Sequence, residues 1–328
     1  MVADTNKGAG FDQNLEHVFI TGASGCVGHY LIKECLKHTQ LHLHLLVRHP
    51  EKLQFSPSEF KRMTIHIGDF KQIEDFKDVI ANMDYLLHCV TEWWGYDQTQ
   101  LVNVEKTKQF FSFTDSKRLK QIVYFSTASL LGKGSQVVKE AKLYGSDYIK
   151  SKYDAYHMIQ TLPLKDKITT VFPTMVFGGD AVYPQSHITK GVYQAFGLLK
   201  YIRFIYVDGA FHFIHAADIS TLAVHFLLNP AKKREYVLGN PAVSVKQAIE
   251  VLFTIFKLKP LLRLHVSYKA ILFLAKVFRI QIGPWERYCI DNPQMVFDAV
   301  SPKTFGLTGQ FESLEAVVKD VKQFNSAN

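Results

Sequence analysis

Short apolar runs and helically spaced apolar positions alternate along the first 180 residues. "HVFITGASGCVGHYLIKECLK" passes from an apolar strand through a glycine-rich turn into an amphipathic helix. "LHLHLLVR" (41–48) reads as a buried strand, and "MTIHIGDF" (63–70) as a third. A fourth is centred on Tyr85–Cys89. "TQLVNVEKTKQFFSFTDS" has helical periodicity, "LKQIVYFSTAS" is a fifth strand, and a helix carrying Tyr148 follows. "KITTVFPTMVFGG" reads as a single sixth strand.

This alternation predicts βαβ units and therefore an α/β fold, a doubly wound parallel (Rossmann) sheet. Ligands of such sheets bind beyond the carboxyl ends of the strands. After residue 180 the alternation weakens, although "GAFHFIHAADISTLAVHFLL" and "REYVLGNPAVSVKQAIEVL" still read as strand–helix pairs. The expected organisation is a flexible N-terminus (1–14), a dinucleotide-binding domain (15–180) and a smaller C-terminal substrate lobe (181–328) interleaved with it.

Composition narrows the class only a little. The chain has 328 residues, 47% hydrophobic and 21% charged, enough for a large core. The net charge of +8 favours anionic ligands, but the cations are scattered, and no basic stripe interleaved with aromatics points to nucleic acid. The four cysteines, Cys26, Cys35, Cys89 and Cys289, match neither zinc nor CxxC spacing and read as small buried hydrophobes. With no secretory signal they point to a reducing, cytoplasmic compartment. No apolar stretch is long enough to span a membrane. "YKAILFLAKVFRIQIGPW" (268–285) reads first as a core-packing helix. Its second reading is an amphipathic helix in peripheral membrane contact.

The chemistry begins at "TGASGCVG". Gly22, Gly25 and Gly28 stand between the first strand and the first helix, where glycine admits close backbone approach and the helix start offers N–H groups to a diphosphate. The end of the second strand should face the adenosine ribose. There the chain has Arg48 rather than a carboxylate, which predicts NADP(H) in preference to NAD(H); the alternative has Arg48 pointing into solvent. Asp69 ends the third strand, either as an acceptor for the adenine amino group or as a loop-starting Asp.

Tyr148 precedes Lys152 by four residues, so phenol and ammonium share one helix face. A neighbouring ammonium and an oxidised nicotinamide both favour phenolate, which predicts an acid–base usable near neutrality. Thr127 and Ser126 supply hydroxyls at the tip of the fifth strand. The set suits hydride transfer between nicotinamide and a carbinol or carbonyl carbon.

TGASGCVG, the STASLLG segment, YIKSK and Asn103 in "LVNVEKT" together resemble an extended short-chain dehydrogenase/reductase of the NAD-dependent epimerase/dehydratase superfamily. "FPTMVFGG" and "FHFIHAADIS" extend the resemblance over roughly residues 16–245. It implies catalytic roles for Tyr148 and Lys152, Thr127 as hydroxyl partner with Ser126 beside it, and Asn103 as a structural or relay group. The implied cofactor set is Thr21, Gly22, Ser24, Gly25, Cys26, Val27, Gly28, Arg48, Asp69, Phe70, Val90, Lys152, Pro173 and Thr174. It also implies a homodimer.

Two departures bear on the substrate. Met175 stands where sugar-nucleotide epimerases carry Asn, and the usual small residues after the fourth strand are replaced by "HCVTEWWG". Trp93 and Trp94 are either a pocket wall or plain packing. With Phe204, Tyr206, Phe211 and Phe213 they favour a largely apolar alcohol or carbonyl substrate. The resemblance is then nearest to 3β-hydroxysteroid dehydrogenase-like and dihydroflavonol reductase-like members. A sugar-nucleotide epimerase/dehydratase and a non-catalytic nucleotide-binding scaffold remain the alternatives. His42 and His44 share a strand face, and "FHFIH" offsets His215 from His212; no converging set of ligands points to a metal.

Overall fold

The computed structural model describes residues 12, 14–195, 205–231, 233–258, 264–267, 270, 272 and 281–327. Most of the predicted flexible N-terminus and most of segment 268–285 lie outside the described residues, as do Phe204 and the side chain of Tyr206. No helix among the described residues is long and apolar enough to cross a membrane.

The first half of the chain supplies β1 (His17–Thr21), β2 (His42–Val47), β3 (Met63–Ile67), β4 (Tyr85–His88), β5 (Gln121–Phe125) and β6 (Ile168–Pro173). It also supplies helices α1 (Cys26–His38), α2 (Lys77–Ile80), α3 (Tyr96–Gln100), α4 (Thr107–Ser112), α5 (Lys139–Tyr144) and α6 (Asp147–Gln160). Then come β7 (Met175–Phe177), α7 (His187–Ala195), β8 (Ile205–Tyr206), β9 (Ala210–Phe211), β10 (Phe213–His215) and α8 (Ala216–Leu228). The chain continues with β11 (Glu235–Leu238), β12 (Val243–Ser244), α9 (Val245–Ile255), β13 (Leu264–His265), α10 (Pro284–Asp291), β14 (Gln294–Met295), β15 (Ala299–Val300) and α11 (Leu314–Ala327).

Eight strands form one parallel sheet in the order β15-β11-β6-β5-β4-β1-β2-β3. The direction of winding reverses between β1 and β4, which opens a crevice at the carboxyl ends of these two strands. Both faces are covered, so the strands read as near-continuous apolar runs. Val18 and Ile20 face one cluster with Leu31, Ile32 and Leu222, while Phe19 faces the other with Phe110, Phe111 and Ile159. Helices α1 and α8 pack against each other on the first side. The sheet draws two strands, β11 and β15, from beyond residue 180.

The predicted sixth strand divides. β6 ends at Pro173 in the main sheet, and β7 pairs in parallel with β10 in a separate small sheet. Thr174 makes the break: its N–H and its hydroxyl both donate to the Leu238 carbonyl, at 3.0 and 2.9 Å. The helix predicted over 99–116 forms with an interruption. A π-helical stretch, Leu101–Lys106, joins α3 to α4.

Histidines cross the sheet on one face. A ring nitrogen of His17 lies 3.0 Å from one of His44, and the second nitrogen of His44 lies 3.0 Å from His66. Burial, reinforced by the neighbouring histidines, pushes His44 down to about 2 and His66 to about 4. The ring nitrogens thus serve one another as neutral donors and acceptors.

Candidate active site

The glycine turn takes its shape from two tight contacts. Gly22 adopts φ +71°, and a Cβ there would meet the Val90 nitrogen at 2.8 Å. A Cβ on Gly28 would lie 2.2 Å from the Gly22 carbonyl oxygen, so only glycine lets α1 close against the turn. Helix α1 starts after Gly25 with no side-chain cap and no acidic residue in its first turn. Its first N–H groups and positive dipole end therefore face the cleft.

That cleft, of about 830 Å³, lies at the carboxyl ends of the main-sheet strands. Thr21, Gly22, Ser24, Gly25, Cys26, Val27 and Gly28 line it from β1 and α1. Arg48, Asp69, Phe70 and Val90 line it from the ends of β2, β3 and β4. Ser126, Thr127, Tyr148, Lys152, Pro173 and Thr174 complete its other end. Asn103 alone among the candidate residues stands behind the wall.

Arg48 and Asp69 do not stand apart. Their guanidinium and carboxylate pair at 3.6 Å, and the other Asp69 oxygen accepts from the Lys71 N–H at 2.9 Å. Asp69 is thus a loop cap as well as a cleft residue.

Tyr148 and Lys152 sit one turn apart on α6, which Ser146 caps by accepting from the Ile149 N–H. Lys152 is 2% exposed, and its ammonium donates to the Phe125 carbonyl at 2.9 Å and lies 5.0 Å from the centre of the Tyr124 ring. Burial brings it down to about 7. Burial also pushes the Tyr148 phenol up to about 12, against a smaller downward pull from the Thr127 hydroxyl. The expectation that the lysine lowers the phenol is therefore corrected. Burial sets the direction, and the opposing pull comes from the Thr127 hydroxyl rather than from the Lys152 ammonium.

Asn103 is 1% exposed and fully bonded. Its Oδ1 accepts from the Thr91 hydroxyl at 3.1 Å and the Glu92 N–H at 2.8 Å. Its Nδ2 donates to the Glu92 carbonyl and to the Ser151 hydroxyl, both at 2.9 Å. It ties the loop after β4 to the catalytic-candidate helix.

The two tryptophans separate. Trp93 lines the cleft, whereas Trp94 is 79% exposed, so it is neither wall nor packing. Phe211 lines the cleft, and Phe213 lies in the core beside Phe177 and Val317. Of the cysteines only Cys35 is fully buried; Cys26, Cys89 and Cys289 line the cleft, and burial raises Cys26 to about 12.

Sequence reasoning missed His88, a polar residue in the apolar strand "DYLLHC". The Thr107 hydroxyl donates to the Val102 carbonyl, so it must accept from the His88 Nε2–H 2.9 Å away. Nδ1 then accepts from the Thr21 hydroxyl at 2.8 Å. Burial, then the Lys152 charge, keeps this imidazole neutral. His88 thereby fastens the glycine turn to α4.

These residues fit a nicotinamide dinucleotide. The turn can take a diphosphate, and Ser126, 6% exposed, has a buried hydroxyl without a partner among the described residues. Known proteins agree with the architecture. Sterol-4-alpha-carboxylate 3-dehydrogenase, decarboxylating, of Candida albicans is 27% identical over 188 residues, 51% of this chain; the match spans 52% of that relative's length. The Bordetella bronchiseptica enzyme WbmG in complex with NAD superposes with a TM-score of 0.65 at 14% identity, covering 96% of each chain. UDP-N-acetylglucosamine 4-epimerase from Methanobrevibacter ruminantium M1 in complex with UDP-N-acetylmuramic acid gives 0.67 at 12% identity, covering 96% of this chain and 99% of that one. The family model for NAD-dependent epimerases/dehydratases matches residues 18–239, a span that holds the glycine turn, Thr127, Tyr148 and Lys152, and the chain belongs to that family.

Proposed function

We propose that the protein is an oxidoreductase that moves hydride between a nicotinamide dinucleotide and the carbonyl or carbinol carbon of a largely apolar substrate. The observation that carries this reading is the position of Tyr148, beside Thr127 and one turn before the buried Lys152, in the cleft that the glycine turn opens. When bound, the dinucleotide supplies or accepts the hydride. Gly22, Gly25 and Gly28 admit its diphosphate, and Lys152 and Ser126 offer polar groups toward its ribose. Arg48 favours NADP(H) over NAD(H), because a 2′-phosphate competes for the guanidinium that Asp69 now holds.

The Thr127 and Tyr148 hydroxyls hold the substrate oxygen. As that oxygen gains charge, Tyr148 gives it the phenolic proton, and the Lys152 ammonium stabilises the phenolate left behind. A phenol near 12 is protonated at neutral pH, the form from which carbonyl reduction starts. The substrate end of the cleft is lined by Trp93, Met175, Phe211, Trp285, Met295 and Phe297, and Lys152 is its one Lys or Arg among the described residues. That wall suits an apolar molecule and, among the described residues, offers a sugar-nucleotide diphosphate no Lys or Arg besides Lys152.

The Candida albicans dehydrogenase supports this reading, and the Methanobrevibacter epimerase supports the alternative of a sugar-nucleotide epimerase. A screen separates them. NADPH oxidation by apolar ketones, with no thermal stabilisation by UDP-, GDP- or dTDP-sugars, is the expected result. Stabilisation by a nucleotide sugar, with no ketone reduced, contradicts it.

A further inference from the structure

The loop after β4 places the Trp93 indole face to face with the Tyr148 ring, centroids 4.0 Å apart and planes 22° from parallel. Nothing lies between two rings at that distance. The indole also meets the His187 ring of α7, 4.7 Å away and tilted by 57°. Both ring partners line the cleft.

The stack is held from behind. Asn103 fixes the backbone of Glu92 through an N–H and a carbonyl bond, and Glu92 Oε1 accepts from the Trp93 N–H at 3.0 Å. The same asparagine binds Ser151, whose hydroxyl donates to the Tyr148 carbonyl at 2.8 Å. One buried side chain therefore positions both the indole and the residue beneath it. Such support makes a fixed wall rather than an adaptable one.

We infer that Trp93 is the specificity-determining residue of this site, admitting carbonyl compounds that are unhindered beside the reacting carbon and rejecting those branched there. The inference rests on the oxidoreductase reading above. A substrate oxygen bonded to the Tyr148 hydroxyl brings its carbonyl carbon alongside the indole that covers the phenol ring. Flat methylene flanks pass this wall. A quaternary carbon collides with it.

Two isomeric probes separate position from hydrophobicity: 2,2,6,6-tetramethylcyclohexanone, quaternary on both flanks of the carbonyl, and 3,3,5,5-tetramethylcyclohexanone, with a methylene on each flank. Their dissociation constants are measured by calorimetry on protein saturated with NADP+, where no reduction occurs. The wild type should bind the 3,3,5,5 isomer at least about tenfold more tightly. Trp93→Ala should shrink the ratio to about threefold or less, and Trp93→Phe, which keeps a ring on Tyr148, should restore it. Trp93→Leu serves as the second removal if the alanine variant does not fold. An unchanged ratio in the folded Ala or Leu variant overturns the role of Trp93 and leaves the oxidoreductase reading standing. Binding of neither isomer, with no reduction of either by NADPH or NADH, overturns that reading and this inference with it.

Discussion

At the scale of single residues, burial decides the acid–base chemistry. Lys152 and Tyr148 are both desolvated, and desolvation moves them in opposite directions, to about 7 and about 12. The ammonium of Lys152 is thus half formed near neutrality. In the proposed mechanism it must be charged, so kcat/KM for ketone reduction should fall as pH rises through about 7. Lys152→Arg, which cannot titrate there, should remove that limb; a limb that persists in the variant assigns it to another group. Arg48 carries a separate expectation at the far end of the cleft. Arg48→Asp should reverse the NADPH/NADH affinity ratio, and an unchanged ratio removes Arg48 from the cofactor preference. The Tyr148–Lys152 spacing was legible in the sequence because both residues lie on one helix. Their ionisation was not, since the groups that desolvate them come from distant parts of the chain, as the Trp93–Tyr148 stack does.

At the scale of elements, the glycine turn and the interrupted helix α3–α4 organise the site. Gly28→Ala puts a carbon 2.2 Å from the Gly22 oxygen, so α1 must move away from the turn. The expected result is at least about a tenfold loss of dinucleotide affinity, about 1.4 kcal/mol or more. Asn103→Ala removes four hydrogen bonds behind the wall and should destabilise the fold by about 3 kcal/mol in denaturant titrations. It should also release Trp93, raising the mobility of the loop after β4. A fully stable Asn103→Ala with unchanged kinetics denies it the positioning role. The strand–turn–helix start was readable because glycine spacing and apolar runs are local signals. The π-helical stretch was not, because its spacing and ordinary helical spacing differ too little over Leu101–Lys106 to leave a mark in the apolar pattern. The division of the sixth strand also escaped, since it depends on Thr174 meeting Leu238 across the fold.

For the whole molecule, the parallel sheet carries a pH liability in its histidine ladder. Well above pH 6.5 His44 and His66 are neutral in both the folded and unfolded chain, and they add no pH dependence. Below it the unfolded chain takes up protons, while His66 resists until about 4 and His44 until about 2. The unfolded state then binds more protons, so stability falls as pH falls, by up to roughly 1.4 kcal/mol per pH unit for each histidine. Between pH 6.5 and pH 5 the two together account for a loss of roughly 3 kcal/mol. Denaturation at these two pH values checks this, and His66→Gln should flatten the difference. A stability independent of pH over that interval contradicts the ladder's neutrality. The alternating apolar pattern predicted a parallel sheet but not its strand order; the strand of "REYVLGNP" was readable, whereas its place beside β6 in the main sheet, with β15 next to it, was not, because strand pairing is set across the fold.

The most direct test of the central claim is Tyr148→Phe, assayed for ketone reduction and titrated with NADPH beside the wild type. The account predicts turnover lost by at least about a thousandfold, with cofactor affinity within about twofold, because only the proton donor has gone. Turnover within tenfold of wild type contradicts it and removes Tyr148 from the chemistry.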